Sequence, residues 1–370
     1  MKTDIHDQLG LRRVINARGS YTPFGVSRSH DAVAAVVAES LKHYFVMSEL
    51  AEAAGDRIAN IYDVESVGFS HCAAGSITMA IAAVMVGEDM DLLYKLPDTC
   101  NISHRVVIQA GHLVNYGQPV EQAIRLAGAE VVVAGGQHGC TVEELEAALD
   151  TDDVCALMCV ESRLCKPGTV AADQAVALAH KKGVTAVIDA AAQDLRLPDV
   201  LGFGADITIT SGQKYYAGPT CGLALGSKSM VGAMALQEKG IGRAMKLTKE
   251  GIIGALAAVE LRVQTDMDAW SAEQKSKSDD FAAHLNQIRH LTVACEADQT
   301  GLPFLRVRAA LDEASAGHTA FQVAEHLAAN DPMISVQEHE LDKGVLNFEI
   351  IGLNRSELEI IYERLSDLLD

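Results

Sequence analysis

VTAVIDAAA (184–192) is a short apolar run that ends in an aspartate, and ADITITSGQKYYAGPT (205–220) follows with a second such run leading into Ser-Gly-x-Lys. Short runs that are apolar nearly throughout and bounded by turn residues read as strands buried on both faces, the strands of a parallel sheet covered by helices. Working outward, AEVVVAGG (129–136) reads as a strand, TVEELEAALD (141–150) as a capped helix and CALMCVES (155–162) as a strand. AADQAVALAHKKG (171–183) reads as a helix whose Lys-Lys-Gly ending suits a C-terminus, and CGLALGS (221–227) as a further strand. This alternation predicts an α/β domain. KEGIIGALAAVELRVQ (249–264) reads as a long helix leaving that domain, after which the rhythm changes. LPFLRVRA, ISVQEHE and GVLNFEIIG read as strands among helices around 318–329 and 355–369, the pattern of a smaller α+β domain. The expected division is 1–265 for an N-terminal segment plus the large α/β domain and 266–370 for the small one, with the boundary near 260–275.

Composition narrows the functions available. At 370 residues the chain is long enough to bury two cores without disulfides or structural metal. Its 30 Lys plus Arg against 50 Asp plus Glu give a formal charge of −20, a field that repels phosphate backbones and anionic lipid. Neither a nucleic acid nor a membrane is expected as a partner. MKTDIHDQLGLRR at the N-terminus has no apolar signal region, and the longest apolar stretch, Ile77 to Val86, falls well short of the ~20 residues of a membrane helix. The eight cysteines contain no CxxC pair and read as reduced thiols. A cytoplasmic protein is the expectation.

The chemistry concentrates where the reading began. In an open parallel sheet the ligand crevice forms at the C-terminal ends of the strands, so Asp189 and Lys214 are both expected to face it. A lysine amine held against an apolar crevice sheds its charge easily and becomes a nucleophile toward an aldehyde, the preparation a Schiff-base lysine needs. An aspartate placed under a pyridinium nitrogen keeps that nitrogen protonated and lets the ring act as an electron sink. SHCAAGSITMAIAAVM (70–85) opens an apolar helix with small residues, so Ala74, Gly75 and Ser76 are read as a cradle of backbone donors for a phosphate, with the Ser76 hydroxyl as an added donor. An ordinary turn lysine and a helix start with a packing glycine are the plainer readings of the same residues.

VIDAAAQDL, SGQKYYAGPTCGLALGS and IGRAMKLTKEGIIGAL, with INARGSYTPFGVS, FVMSELAEAAGDRIANIY and HLVNYGQPVEQAIRLAGAEVV, carry a resemblance in their order and spacing. The chain resembles the pyridoxal-phosphate (PLP)-dependent fold type I family that contains selenocysteine synthase and D-glucosaminate-6-phosphate ammonia-lyase, nearer the ammonia-lyase. The resemblance spans roughly residues 8–260 and weakens beyond. It implies an aminotransferase fold type I large domain, PLP on Lys214 with Asp189 at its ring nitrogen, and at least a homodimer. It further implies Ser211 as a phosphate ligand and His112 as the ring that stacks on the cofactor, with His71, His104 and Tyr116 competing. Arg18, Ser20 and Thr22 are drawn in as a substrate entrance, and Arg243, Lys246 and Lys249 as a basic group for a substrate carboxylate or phosphate. Glu161, at the end of its strand, is a lesser candidate for the same crevice.

Two departures bear on the substrate. Where many enzymes of this fold place a carboxylate-clamping arginine in the small domain, this chain has NFEIIGLN (347–354), which leaves Arg306 and Arg308 as substitutes. Nothing matches the N-terminal extension that selenocysteine synthase uses toward its transfer RNA, so a small-molecule substrate is expected. VVVAGGQHGC lacks a full G-x-G-x-x-G, and HExxH, G-x-S-x-G and GxxxxGK[ST] are absent, which sets aside dinucleotide, metal, serine-hydrolase and triphosphate chemistry. The leading expectation is a PLP lyase that eliminates the β-hydroxyl of a small 2-amino acid, an amino-sugar acid among the candidates, to give a 2-oxo acid and ammonia. Racemase, aldolase and β-replacement reactions share its carbanion chemistry, and a non-catalytic PLP-fold binding protein shares its fold.

Overall fold

A computed structural model describes residues 4–370. The chain forms two compact units, one of residues 29–264 and one of residues 4–28 together with 265–370.

A first strand, β1 (Val14–Asn16), belongs to the second unit; the strands of the first follow it in the chain. They are β2 (Ser66–Ser70), β3 (Arg105–Gln109), β4 (Glu130–Ala134), β5 (Val154–Val160), β6 (Thr185–Asp189), β7 (Ile207–Ser211) and β8 (Gly222–Gly226). They make one sheet in the order β2-β8-β7-β6-β5-β3-β4, in which only β8 runs antiparallel to its neighbours. Alternate residues explain the layering. Met158 and Val160 join Val187, Ile209 and the Ala73–Val86 helix in one core, while Leu157, Cys159 and Ile188 join the Val142–Leu149 and Ala172–Lys181 helices in another. The Val142–Leu149 helix starts at a capping box made by Thr141 and Glu144.

The second unit adds β9 (Leu291–Ala297), β10 (Leu305–Leu311), β11 (Met333–Ser335) and β12 (Val345–Phe348). Its antiparallel sheet runs β12-β10-β9, and β1 pairs in parallel with β11. Phe348, wholly buried, meets Phe281 of the Met267–Leu285 helix edge to face at 5.8 Å. This is the smaller α+β domain that the sequence predicts. The N-terminal segment departs from the expected grouping: hydrogen bonds from Met333 N to Arg13 O and from Ala17 N to Ser335 O tie it to this unit rather than to the large one. Three residues of β1 carry no period long enough to announce a partner more than three hundred residues away.

Candidate active site

The five parallel strands β3 to β7 all end on one edge of the sheet, and the candidate residues follow from that. Asp189 is the last residue of β6 and Ser211 the last of β7. Glu161 follows β5 directly, and His112 closes the single 3-10 turn after β3.

At one end of the crevice the Ala73–Val86 helix starts without a side-chain cap at Cys72, and the Ser76 amide is already bonded to Cys72 O. The amides of Ala73, Ala74 and Gly75 form the uncapped first turn, with the helix dipole behind them. Gly222 makes the close approach to the sheet possible, because a Cβ there would strike the Ser76 hydroxyl and sit 2.7 Å from the Cys72 carbonyl oxygen. The Ser76 hydroxyl differs from its expected part. Ser70 donates to Cys72 O at 2.9 Å, so at the 2.6 Å contact between the two hydroxyls Ser76 donates to Ser70. Its proton is used within the protein. Ser211 offers the converse: its hydroxyl is buried and finds no hydrogen-bond partner among the described residues.

His112 is 4% exposed, and burial drives its imidazole down to about 4, so the ring is neutral at pH 7. The Val160 amide donates to Nδ1 at 3.3 Å, which puts the ring proton on Nε2. Of its competitors, His104 lies at the opposite edge, bonded to Ile102 O just before β3, and His71 is exposed. The Tyr116 hydroxyl is held far above its ordinary range by burial first and then by the charges of Asp189 and Cys72, although the residue as a whole remains partly exposed.

Asp189 is buried and accepts the Ala191 amide on Oδ1 at 3.0 Å. Burial raises its pKa, opposed by the positive charge of Lys214. Lys214 stands in a tight turn: Gly212 N bonds Cys221 O at 3.1 Å, Gly218 N bonds Gly212 O at 2.8 Å, and Ala217 N bonds Lys214 O at 3.1 Å. A side chain at Gly212 would strike the Cys221 sulfur, so the turn packs directly on the residue that precedes β8. Asp194 is a residue of this neighbourhood that sequence reasoning missed. It accepts the Tyr216 amide at 2.5 Å, while Arg262 donates to Tyr215 O at 2.5 Å and the hydroxyls of Tyr216 and Tyr62 meet. The one available signal was a second acidic residue, five positions after Asp189 in DAAAQDL.

The remaining candidates divide. Glu161 lies with Oε2 3.6 Å from Arg196, and burial raises its pKa. Arg243 and Lys246 are exposed, both act electrostatically on Glu238, and their turn is joined to the uncapped helix start through His71 N to Met245 O at 2.6 Å. Lys249 is instead engaged with Leu41 O at 3.2 Å and His43 O at 2.5 Å. In the second unit Arg18 pairs with Glu338 at 2.5 Å and lies over the Tyr21 ring at 4.2 Å, beside a partly exposed Ser20 and an exposed Thr22. Arg306 is bound by Asp298 at 2.7 Å and by Glu349, and Arg308 by Glu340 at 3.3 Å. Neither stands as an uncommitted carboxylate clamp.

The set in the large unit suits a phosphorylated pyridine aldehyde: uncapped amides and a partnerless hydroxyl for the phosphate, a neutral ring, a buried carboxylate and a lysine. An open sheet of this order, with a lysine and an aspartate at its strand ends, defines the PLP-dependent enzymes of aminotransferase fold type I, and this chain is one of them. It belongs to the aminotransferase class-V family, whose model matches residues 30–304. Across 100% of its length it is 30% identical to D-glucosaminate-6-phosphate ammonia lyase of Salmonella typhimurium, covering 99% of that protein. It is 31% identical to a 5'-C-glycyluridine monooxygenase-decarboxylase of a Streptomyces species, over 98% of this chain and 92% of that one. A solved structure of D-glucosaminate-6-phosphate ammonia-lyase superposes with a TM-score of 0.90 at 30% identity, covering 100% and 99% of the two chains. The similarity therefore runs the full length, past residue 260, where the motif-level resemblance weakens.

Proposed function

We propose that this enzyme is an ammonia-lyase for a small 2-amino acid bearing a β-hydroxyl, with an amino-sugar acid as the substrate class. The observation that carries the reading is the end-to-end match, in sequence and structure, to an enzyme named as an ammonia-lyase for an amino-sugar acid phosphate.

Bound PLP supplies an aldehyde for amines and an electron sink for the pair left on Cα. Around it, the amides of Ala74 and Gly75 and the Ser211 hydroxyl would hold the phosphate, with Ser76 bracing the helix start through Ser70. The buried Asp189 would keep the ring nitrogen protonated, the neutral His112 imidazole would pack on the ring, and Lys214 Nζ would anchor the aldehyde and take the α-proton. Arg243 and Lys246, exposed and beside the helix start, receive the anionic end of the substrate. The α-proton and β-hydroxyl leave as water, and a second water then displaces ammonia, leaving a 2-oxo acid.

A second reading follows the other relative, whose name describes oxygen-dependent decarboxylation. Incubation in deuterated water without oxygen separates the two. Equal amounts of ammonia and deuterium-labelled 2-oxo acid support the lyase; carbon dioxide released only in air, or α-proton exchange without ammonia, contradicts it.

The enzyme is further read as a cytoplasmic homo-oligomer. Leu41, Tyr44, Phe45, Val46 and Met47 form an exposed apolar stretch, Tyr44 entirely so, of the kind a second copy covers. All eight cysteines are free, which suits a reducing compartment. Among the described residues no helix is long and apolar enough to cross a membrane.

A further inference from the structure

Like β6 and β7, β3 ends in a buried polar residue, the wholly buried Gln109. A carboxamide in that position is costly unless both of its ends are bonded. Both are, and to one peptide group: Nε2 donates to Val170 O at 2.9 Å, and Val170 N donates to Oε1 at 2.7 Å. The pair fastens the end of β3 to the 161–170 segment, which leaves β5 and leads to the Ala172–Lys181 helix. Further contacts draw the same segment onto the residues that follow β3. Lys166 N donates to Gly111 O at 2.9 Å, and a Cβ at Gly111 would lie 2.5 Å from Thr169 Cγ2 and 3.0 Å from Lys166 O. On its other side, Cys140 N bonds Gly168 O at 2.8 Å.

The turn gripped in this way is the one that carries His112. Three residues of 3-10 helix, Ala110–His112, are too few to hold a shape by themselves. The ring receives one long hydrogen bond, from Val160 N at 3.3 Å. The turn is therefore fixed from outside. We propose that Gln109 is a positioning residue for His112: its carboxamide clamps the 161–170 segment against the Gly111–His112 turn and so sets the plane of the imidazole. A ring that packs on a flat partner has to keep that plane to within about 10–20°. The inference rests on His112 being the ring that packs on the cofactor, but the turn itself can be read without activity.

The test is hydrogen–deuterium exchange at imidazole C2 in the full-length holoenzyme, resolved by peptide mass spectrometry with the exposed His43 as internal reference. This exchange passes through the imidazolium, so a buried neutral ring is slow, and each pKa unit that a loosened ring regains speeds it about tenfold. Gln109→Met, similar in volume but without either bond, speeds His112 exchange roughly tenfold or more. It also weakens the visible circular dichroism of the bound cofactor while the absorbance is retained. Gly111→Ala, whose methyl meets Thr169, has the same effect on exchange and stands in if the methionine variant does not fold. Adding Thr169→Ser, which removes the methyl it strikes, reverses part of that effect. Unchanged His112 exchange in a folded variant, with only a fall in melting temperature, makes Gln109 an ordinary loop anchor and overturns the proposal. Wild-type His112 exchange that does not speed up when the cofactor is stripped is a separate result and counts against the ring lying on the cofactor.

Discussion

Asp189 and His112 show how burial sets chemistry one side chain at a time. Asp189 was readable because a strand that ends in an acid has little structural reason to do so, and it does end β6, buried. Asp189→Asn keeps the shape but cannot hold the ring nitrogen's proton by charge; kcat/KM falls by about a hundredfold or more while cofactor content, measured by absorbance, is retained. His112 carries a pH signature. Its folded pKa, about 4, lies below the ordinary imidazole value of 6.5, so the unfolded chain binds the extra proton first. The resulting stability is present above about pH 6.5 and lost as pH falls toward about 4, a loss of up to about 3 kcal/mol. Urea midpoints of the cofactor-stripped protein at neutral and mildly acidic pH measure it, and His112→Phe abolishes that part of the acid loss. Asp194 was not legible, because what matters about it is the Tyr216 amide that the fold brings to it.

Elements were read more surely than their contacts. Strands buried on both faces announce themselves by unbroken apolar runs: β4, β6, β7 and β8 fall within the stretches predicted for them, and β5 starts one residue before its own. The hydroxyl of Ser76 was misjudged because its orientation depends on β2 lying beside β8, a pairing of segments far apart in the chain. The same pairing makes Gly222 testable. A methyl group there meets Ser76 Oγ and the Cys72 carbonyl, so Gly222→Ala forces the Ala73–Val86 helix start off the sheet. The expected cost is about 1–3 kcal/mol in denaturant unfolding, with weaker cofactor binding by fluorescence titration. Unaltered binding would detach the helix start from the phosphate.

For the whole molecule, the sequence conveyed the family and the fold class; the N-terminal segment, expected with the large domain, instead groups with residues 265–370, because β1 is too short to reveal that it pairs with β11. Arg306 was legible as a candidate clamp but not as the partner of two buried acids, since Asp298 reaches it across the β9–β10 connection and Glu349 from just beyond β12. The exposed stretch around Tyr44 carries a prediction at this scale: light scattering gives at least a dimer, and Tyr44→Glu shifts the population toward monomer at low concentration. Everything else in the account turns on where the cofactor attaches. Borohydride reduction of the holoenzyme, followed by peptide mass spectrometry, places a stable pyridoxyl-phosphate adduct on Lys214 and removes the visible absorbance, and neither is seen in Lys214→Ala. An adduct on another lysine, or a spectrum unchanged in Lys214→Ala, contradicts it.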